Sequence, residues 1–87
     1  MKIFKYILEI KDLNCISMPR GAEIISCQAQ NEQLCLWARV HPQAKMDDRV
    51  FRIYGTGHQL PSYWGDHIHL ATVQIRSLVW HVYEVRD

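Results

Sequence analysis

The sequence has almost no excess charge and no long apolar run. Its 10 lysines and arginines against 9 aspartates and glutamates leave a net charge of +1, which is too small to attract nucleic acid or an anionic membrane from a distance. No apolar stretch approaches the roughly 20 residues that a membrane-spanning helix needs. Charged residues also interrupt the N-terminal segment, where a signal peptide would be apolar. We therefore expect a cytoplasmic protein whose partner is neither a nucleic acid nor a membrane.

Disulfide, zinc and catalytic signatures are absent too. Cys15, Cys27 and Cys35 are odd in number and form no CxxC or Cys/His pattern, so we interpret them as small buried side chains. The chain contains no phosphate-binding motif of the GxxxxGKS or GxGxxG type and no nucleophile signature. These absences predict a protein that is not an enzyme and that needs no cofactor.

Internal repeats, flexible linkers and helical periodicity are also missing. A chain of 87 residues has enough side chains for one core, so residues 1–87 should form a single domain. Alternation of apolar and polar residues dominates instead of a 3.6-residue period, which indicates strands. The expected fold is all-β: a small antiparallel β-sandwich or a partly open β-barrel, built from two hairpins plus flanking strands, with at most one short helical turn.

The clearest hairpin signal lies between Glu23 and Val40, where two β-rich runs flank Asn31-Glu32. Asn tolerates the positive φ of a tight turn. A two-residue loop pairs residues whose numbers sum to 63, so Cys27 should face Leu36 and Ile25 should face Ala38 on the core side. The opposite side then carries Ser26, Gln28, Cys35, Trp37 and Arg39.

A second hairpin is predicted from His67 to Val85, with its turn at Arg76-Ser77. This register gives a shared core face made of Ala71, Val73, Ile75, Leu78, Trp80 and Val82. It also places His67 and His69 on one face of a strand, about 7 Å apart, and turns His81 toward the opposite face. The two histidines are weak metal candidates, because a metal site needs a third ligand that the spacing does not supply. We predict no metal, and interpret them as a solvated or partly buried pair.

Between the hairpins lies a glycine-hinged corner, Gly55-Thr56-Gly57-His58. Glycine permits both a structural turn after a strand and the convergence of successive amides on an anion. The corner is therefore either a hinge or an anion-binding nest, with Thr56, Gly57 and His58 as candidate ligand-binding residues. Residues 41–48 before it are predicted to be an exposed loop, and residues 61–66 after it an irregular segment or a short helical turn.

Aromatic residues offer further candidate binding positions. Trp64 follows the corner, and Trp37 lies beside Arg39 on the predicted outer face of the first hairpin. Aromatic rings near arginine are typical of protein-binding hot spots and of base-stacking platforms. The alternative is that a second sheet or a second copy covers these rings. A homo-oligomer is expected, because a second copy readily covers exposed edge strands.

Three blocks of the sequence resemble a known family: Cys35-Leu36-Trp37-Ala38, the segment from Gly55 to Pro61, and the segment from Leu78 to Glu84. The N-terminal strand and the Pro-x-Gly-Ala-x-Ile turn that begins at Pro19 extend the likeness over nearly the whole chain. The chain is similar to small uncharacterised proteins of tailed phages and prophages, which are grouped as a domain of unknown function. The resemblance implies a phage or prophage origin and the cytoplasm of a bacterial host. It supplies no catalytic residue.

Together these features favour stoichiometric binding to a host or phage protein, including a counter-defence role. A first alternative is a module that sequesters a small anionic ligand such as a nucleotide, held at the corner together with Trp64 or Trp37. A second alternative is a minor structural protein of the virion.

Overall fold

The computed structural model describes residues 1–86, and the fold is all-β as the alternation predicts. Its strands are β1 (Lys2–Leu8), β2 (Leu13–Pro19), β3 (Glu23–Gln30), β4 (Gln33–Val40), β5 (Met46–Gly55), β6 (His67–Ile75) and β7 (Leu78–Val85). They form a three-stranded sheet in the order β1-β4-β3 and a four-stranded sheet in the order β2-β5-β7-β6. The fold is thus sandwich-like, the first of the two architectures expected. Within residues 1–86, no helix has the length and apolarity to cross a membrane.

The core lies between the two sheets and is built from alternate residues of each strand. Its most completely buried side chains come largely from strands at the centre of each sheet: Leu34, Leu36 and Ala38 of β4, Phe51 and Ile53 of β5, and Val82 of β7. Cys27 and Cys35 are buried free thiols, whereas Cys15 is exposed, so the expectation of burial was wrong for Cys15. Desolvation raises the pKa of the Cys27 thiol to about 11, which makes it unreactive at neutral pH.

The first hairpin has the predicted loop and most of the predicted register. Asn31 and Glu32 both have positive φ, 52° and 62°, as the tight two-residue turn requires. Cys27 faces Leu36, but a β-bulge then shifts the register so that Ile24 rather than Ile25 faces Ala38. Ile24 packs against the core and Ile25 is 47% exposed. The predicted pairing of Ile25 with Ala38 was therefore wrong.

The second hairpin turns at Arg76-Ser77 and has the predicted shared face, but Leu78 at its tip is 58% exposed and lies outside the core. A bulge between His69 and Ala71 adds one residue to β6. The residues of β6 that precede the bulge therefore face the side of the sheet opposite to the predicted one. His69 consequently faces Tyr83, on the same side of the sheet as His81. The prediction that His69 and His81 point to opposite sides was wrong for this reason.

Strand β5 begins earlier than predicted. Met46 and Asp47, expected in a loop, pair with Pro19 and Met18 at the start of a regular antiparallel ladder with β2. The Arg20 side chain lies 3.3 Å from Asp47 Oδ2, which extends the contact between the strands. A run of polar residues can form a strand where its side chains face water. The polarity of residues 41–48 was therefore not sufficient to predict a loop throughout.

One charged pair is buried between the sheets. Glu84 of β7 is 1% exposed, and Arg49 donates two hydrogen bonds to its carboxylate, one of them 3.0 Å long. Arg49 also donates to the backbone oxygen of Ala22, just before β3. Desolvation raises the pKa of Glu84, but hydrogen bonds from Arg49 and Arg86 outweigh it and leave that pKa below its usual value. The pair links the four-stranded sheet to the segment that enters the three-stranded sheet.

Candidate binding surfaces

The glycine corner is a tight turn between β5 and the loop of residues 59–66. The His58 amide donates to the oxygen of Gly55 at 3.0 Å, and Gly57 has a φ of 88°. Positive φ at the third residue of such a turn fits type II geometry, for which glycine is preferred. This geometry matches the hinge interpretation.

The same turn is not arranged as an anion-binding nest. The Gly55 amide donates to Nδ1 of His58 at 3.2 Å, and the Thr56 amide donates to the oxygen of Val79 at 3.3 Å. The His58 amide closes the turn itself. A nest needs adjacent amides that converge on one external anion, and these three are already directed at acceptors within the protein.

The His58 side chain stabilises the turn through contacts with Gly55 and Trp80. Its imidazole lies over Gly55, so close that a Cβ atom there would be 2.7 Å from Cε1 of the ring. The ring also meets Trp80 of β7 edge-on, with 6.3 Å between centroids. Because Nδ1 accepts the Gly55 hydrogen bond, a neutral His58 carries its proton on Nε2. The geometry thus gives His58 a structural role that the sequence did not reveal.

The loop of residues 59–66 packs on the outer face of the four-stranded sheet through an aromatic cluster of Tyr54, Trp64, His67 and Tyr83. Trp64 stacks on His67 with 4.1 Å between ring centroids and an interplanar angle of 13°. It meets Tyr83 edge-on at 4.7 Å and Tyr54 at 5.8 Å. Tyr54 is only 8% exposed although it points away from the core. The cluster therefore holds the loop against the sheet.

His67 and His69 lie on the same face of β6 but have different hydrogen-bond partners. His67 uses both ring nitrogens within the cluster, 2.8 Å from Asp66 Oδ1 and 3.2 Å from the Tyr54 hydroxyl. His69 bonds instead to the Thr72 hydroxyl at 3.1 Å. Within the described part of the chain, no three His, Cys, Asp or Glu side chains are grouped to hold a metal ion.

The bulge in β6 creates a hydrogen-bonded chain that the sequence analysis missed. Thr72 lies 3.1 Å from Nε2 of His69 and 3.1 Å from Nδ1 of His81. Nε2 of His81 in turn lies 2.8 Å from the Thr56 hydroxyl. The Thr56 side chain is thus hydrogen-bonded to β7. Two of the predicted corner residues, Thr56 and His58, are therefore held by the four-stranded sheet.

A groove of about 530 Å³ lies beside the loop, a size in the range of small-molecule sites. Its lining includes Asp12, Arg52, Tyr54, His58, Tyr63 and Asp66. Arg52 is partly buried and donates no side-chain hydrogen bond to another residue within 1–86. The sequence predicted Arg52 only as an arginine near candidate binding aromatics and did not place it or Tyr54 at a groove, although both alternate with the buried Phe51 and Ile53 and so point outward.

The outer face of the three-stranded sheet carries a second surface, the Trp37 face, formed by Ile3, Ile7, Ile25, Trp37 and Arg39. Trp37 lines a shallow depression of about 290 Å³ together with Ile3 and Ile25. The three isoleucines are 61%, 48% and 47% exposed in sequence order. Arg39 pairs with Glu23 at 2.6 Å. An apolar centre is thus bordered by paired charges.

The structure divides the predicted binding residues between these surfaces. Thr56, Gly57, His58 and Trp64 lie at the four-stranded sheet, whereas Trp37 and Arg39 lie on the outer face of the three-stranded sheet. The outer faces of a two-layered fold point in opposite directions. Of the two alternatives, Trp64 and not Trp37 lies on the same sheet as the corner.

Comparison with known proteins places the chain in a family without assigning it an activity. No curated protein and no solved structure matches it. A family model described as a domain of unknown function, DUF7352, matches residues 1–87. The expected membership of a family of unknown function is thereby confirmed, while the phage origin stays a prediction. On the strength of this match over its whole length, the chain belongs to the DUF7352 family.

Proposed function

We propose that this chain acts by stoichiometric binding of another protein through the Trp37 face. The observation that supports the proposal is the concentration of exposed Ile3, Ile7 and Ile25 around the partly buried Trp37. Exposed apolar side chains gathered on one face of a small protein mark interaction sites. Tryptophan is also enriched among the residues that dominate binding energy at interfaces.

The border of the face supports the same proposal. The Arg39–Glu23 pair borders the apolar residues. Lys5, whose backbone lies opposite Trp37, extends across the face to place its ammonium group 2.7 Å from Gln30 at the border. A polar border around an apolar centre is the usual anatomy of a protein interface. With a net charge of only +1, recognition would depend on local shape and contact rather than on long-range attraction.

The partner we propose is a host or phage protein, and a counter-defence role is one form that such binding would take. The likeness to phage and prophage proteins and the lack of a catalytic motif in the sequence support this choice. Binding without turnover requires the protein in amounts comparable to its target, which suits a chain of this small size.

A capture experiment with matched variants tests the proposal. Immobilised wild-type protein should retain one partner from bacterial lysate at near-equimolar yield, and Ile25→Glu should abolish retention by placing a charge in the apolar centre. Leu78→Glu is the control, because Leu78 is 58% exposed at the other hairpin. Absence of an equimolar partner, or equal loss with both variants, would contradict the proposal.

A second candidate function, binding of a small anionic ligand such as a nucleotide, is favoured by Arg52 in the groove. A partly buried guanidinium with no hydrogen-bond acceptor among residues 1–86 suits a phosphate, and the Tyr63 ring at the same groove offers a stacking surface. Asp12 also lines the groove, so the ligand should carry hydrogen-bond donors as well.

A thermal-shift screen against nucleotides tests this second function. Stabilisation should be lost in Arg52→Gln and reduced in Trp64→Ala, because the latter releases the loop that borders the groove. Ile25→Glu serves here as the unaffected control. A flat response of the wild-type protein across the panel would rule the function out.

A further inference from the structure

The four edge strands of the two sheets differ in how they are protected from pairing with another chain. Bulges, prolines and charges normally protect an edge, because its unpaired amides and carbonyls can otherwise accept a new strand. In the described part of the chain, β3 and β6 carry bulges, and β2 ends at Pro19. β1 has neither a bulge nor a proline, its charges are Lys2 and Lys5, and it pairs with β4 in an uninterrupted register. Its other side is open.

β1 also exposes apolar side chains on both of its faces. Ile3 and Ile7, on the outer face, are 61% and 48% exposed. Phe4 belongs to the inner face with Leu8, yet Phe4 is 36% exposed and Leu8 only 2%. The four-stranded sheet therefore covers one end of β1 and leaves the other uncovered. An edge strand with these properties is suited to further pairing.

We propose that β1 pairs with β1 of a second copy of this chain, antiparallel about a two-fold axis that passes through Lys5. This register places Ile3 opposite Ile7 of the second copy and Phe4 opposite its Tyr6, and symmetry repeats each pair. Both members of each pair lie on the same face of the sheet, as cross-strand contact requires. Two three-stranded sheets then become one six-stranded sheet.

The charge on Lys5 does not oppose this arrangement. Two lysines directly opposite each other would repel, and the axis brings the two Lys5 backbones together. However, Lys5 Nζ donates to the side chain of Gln30 at 2.7 Å. Gln30 belongs to β3, on the far side of β4 from β1, so the Lys5 ammonium group points away from the open edge.

The dimer goes beyond the proposed function, and although Ile3 and Ile7 belong to both surfaces, Ile25 belongs only to the Trp37 face. Ile25 lies on β3, at the opposite edge of the three-stranded sheet, so it stays accessible when the β1 edges pair. Ile25→Glu should therefore abolish capture of a partner and leave the dimer intact. Loss of one property without the other separates the two proposals.

Sedimentation velocity combined with light scattering tests the dimer and its register. Wild-type protein should have twice the 10.3 kDa mass of the chain. Ile3→Lys alone or Ile7→Glu alone should raise the dimer dissociation constant about tenfold or more, because each places two charges against apolar residues. Combining both changes in one chain should restore dimerisation, since the register sets each new lysine opposite a new glutamate. Within one strand the two positions are about 13 Å apart and do not pair.

Control variants distinguish loss of the β1 pairing from a general destabilisation of the fold. Leu13→Lys alters an exposed residue of the β2 edge and should leave the dimer unchanged. Circular dichroism should show the same strand content in every variant, because the altered side chains are exposed. A monomeric wild-type protein at its highest soluble concentration would overturn the proposal. A combined variant no more dimeric than the single ones would overturn the register.

Discussion

Gly55 and Gly57 are two residues apart in one turn, but each is required for a different reason. Gly57 has a φ of 88° and free space around the position of a Cβ atom, so its requirement is conformational. Gly55 lacks positive φ, and the imidazole of His58 occupies the space that its side chain would need. Gly57 is required because of its backbone conformation, and Gly55 is required because His58 occupies the space beside it.

This difference predicts a distinctive pattern of stability. Gly57→Ala should lower the free energy of unfolding by about 1–3 kcal/mol, from backbone strain, in both the wild-type and the His58→Ala backgrounds. Gly55→Ala should lower it by about 1 kcal/mol in the wild type, because it displaces His58 and breaks the hydrogen bond from the Gly55 amide. In the His58→Ala background the same change should have little effect.

Urea unfolding of the single and double variants measures these energies as a double-mutant cycle. Coupling between positions 55 and 58 with none between 57 and 58 is the expected result. An equal cost of Gly55→Ala in both backgrounds would show that the contact with His58 is not the reason for glycine at that position.

At the scale of elements, the sequence predicts the hairpins well because their signals are local. Asn31-Glu32 and Arg76-Ser77 interrupt alternating runs, and both form the expected turns. The two bulges are not predictable in this way. Ile24 and Ile25 are identical side chains, so either could face the core, and the choice depends on packing against the other sheet. The register was therefore correct near each turn and wrong beyond each bulge.

The sequence predicted the candidate surfaces where alternation within one strand determines them, and missed them where a bulge or the order of the strands does. Trp37 and Arg39 were assigned to an outer face correctly, because the extra residue of the bulge lies in β3 and alternation along β4 is uninterrupted. The chain from His69 to Thr56 was missed, because it exists only after the bulge in β6 turns His69 toward His81. The aromatic cluster was missed for another reason: it joins Trp64 of an irregular loop to strands whose order the sequence does not fix.

For the molecule as a whole, the buried Arg49–Glu84 pair couples stability to pH. The pKa of Glu84 lies below its unfolded value because hydrogen bonds from Arg49 and Arg86 outweigh the cost of burial. A carboxyl group with a depressed native pKa stabilises the fold fully above its unfolded pKa of about 4.3. That stabilisation is lost as the pH falls through the native pKa.

We therefore expect Glu84→Gln to lower the free energy of unfolding by about 3 kcal/mol at pH 7, because Arg49 loses its buried partner. The difference from wild type should shrink as the pH falls below about 4. Denaturant unfolding between neutral and acid pH measures it, and Glu23→Gln, at a solvent-exposed pair with Arg39, is the matched control. A difference that stays constant across this range would contradict the assignment.

The bulge at Leu70 lets odd-numbered residues of β6 face opposite sides of the sheet, with His69 outward and Ala71 inward. Deletion of Leu70 would remove the bulge but keep His69 opposite Tyr83, because Leu70 is the residue that has no partner in β7. His67 and His69 would stay on the outer face, so the aromatic cluster and the hydrogen-bonded chain to Thr56 should both survive the deletion. In this family, a relative that is one residue shorter at this point can therefore keep the same surface, and relatives should be aligned by strand pairing before they are compared by side chain.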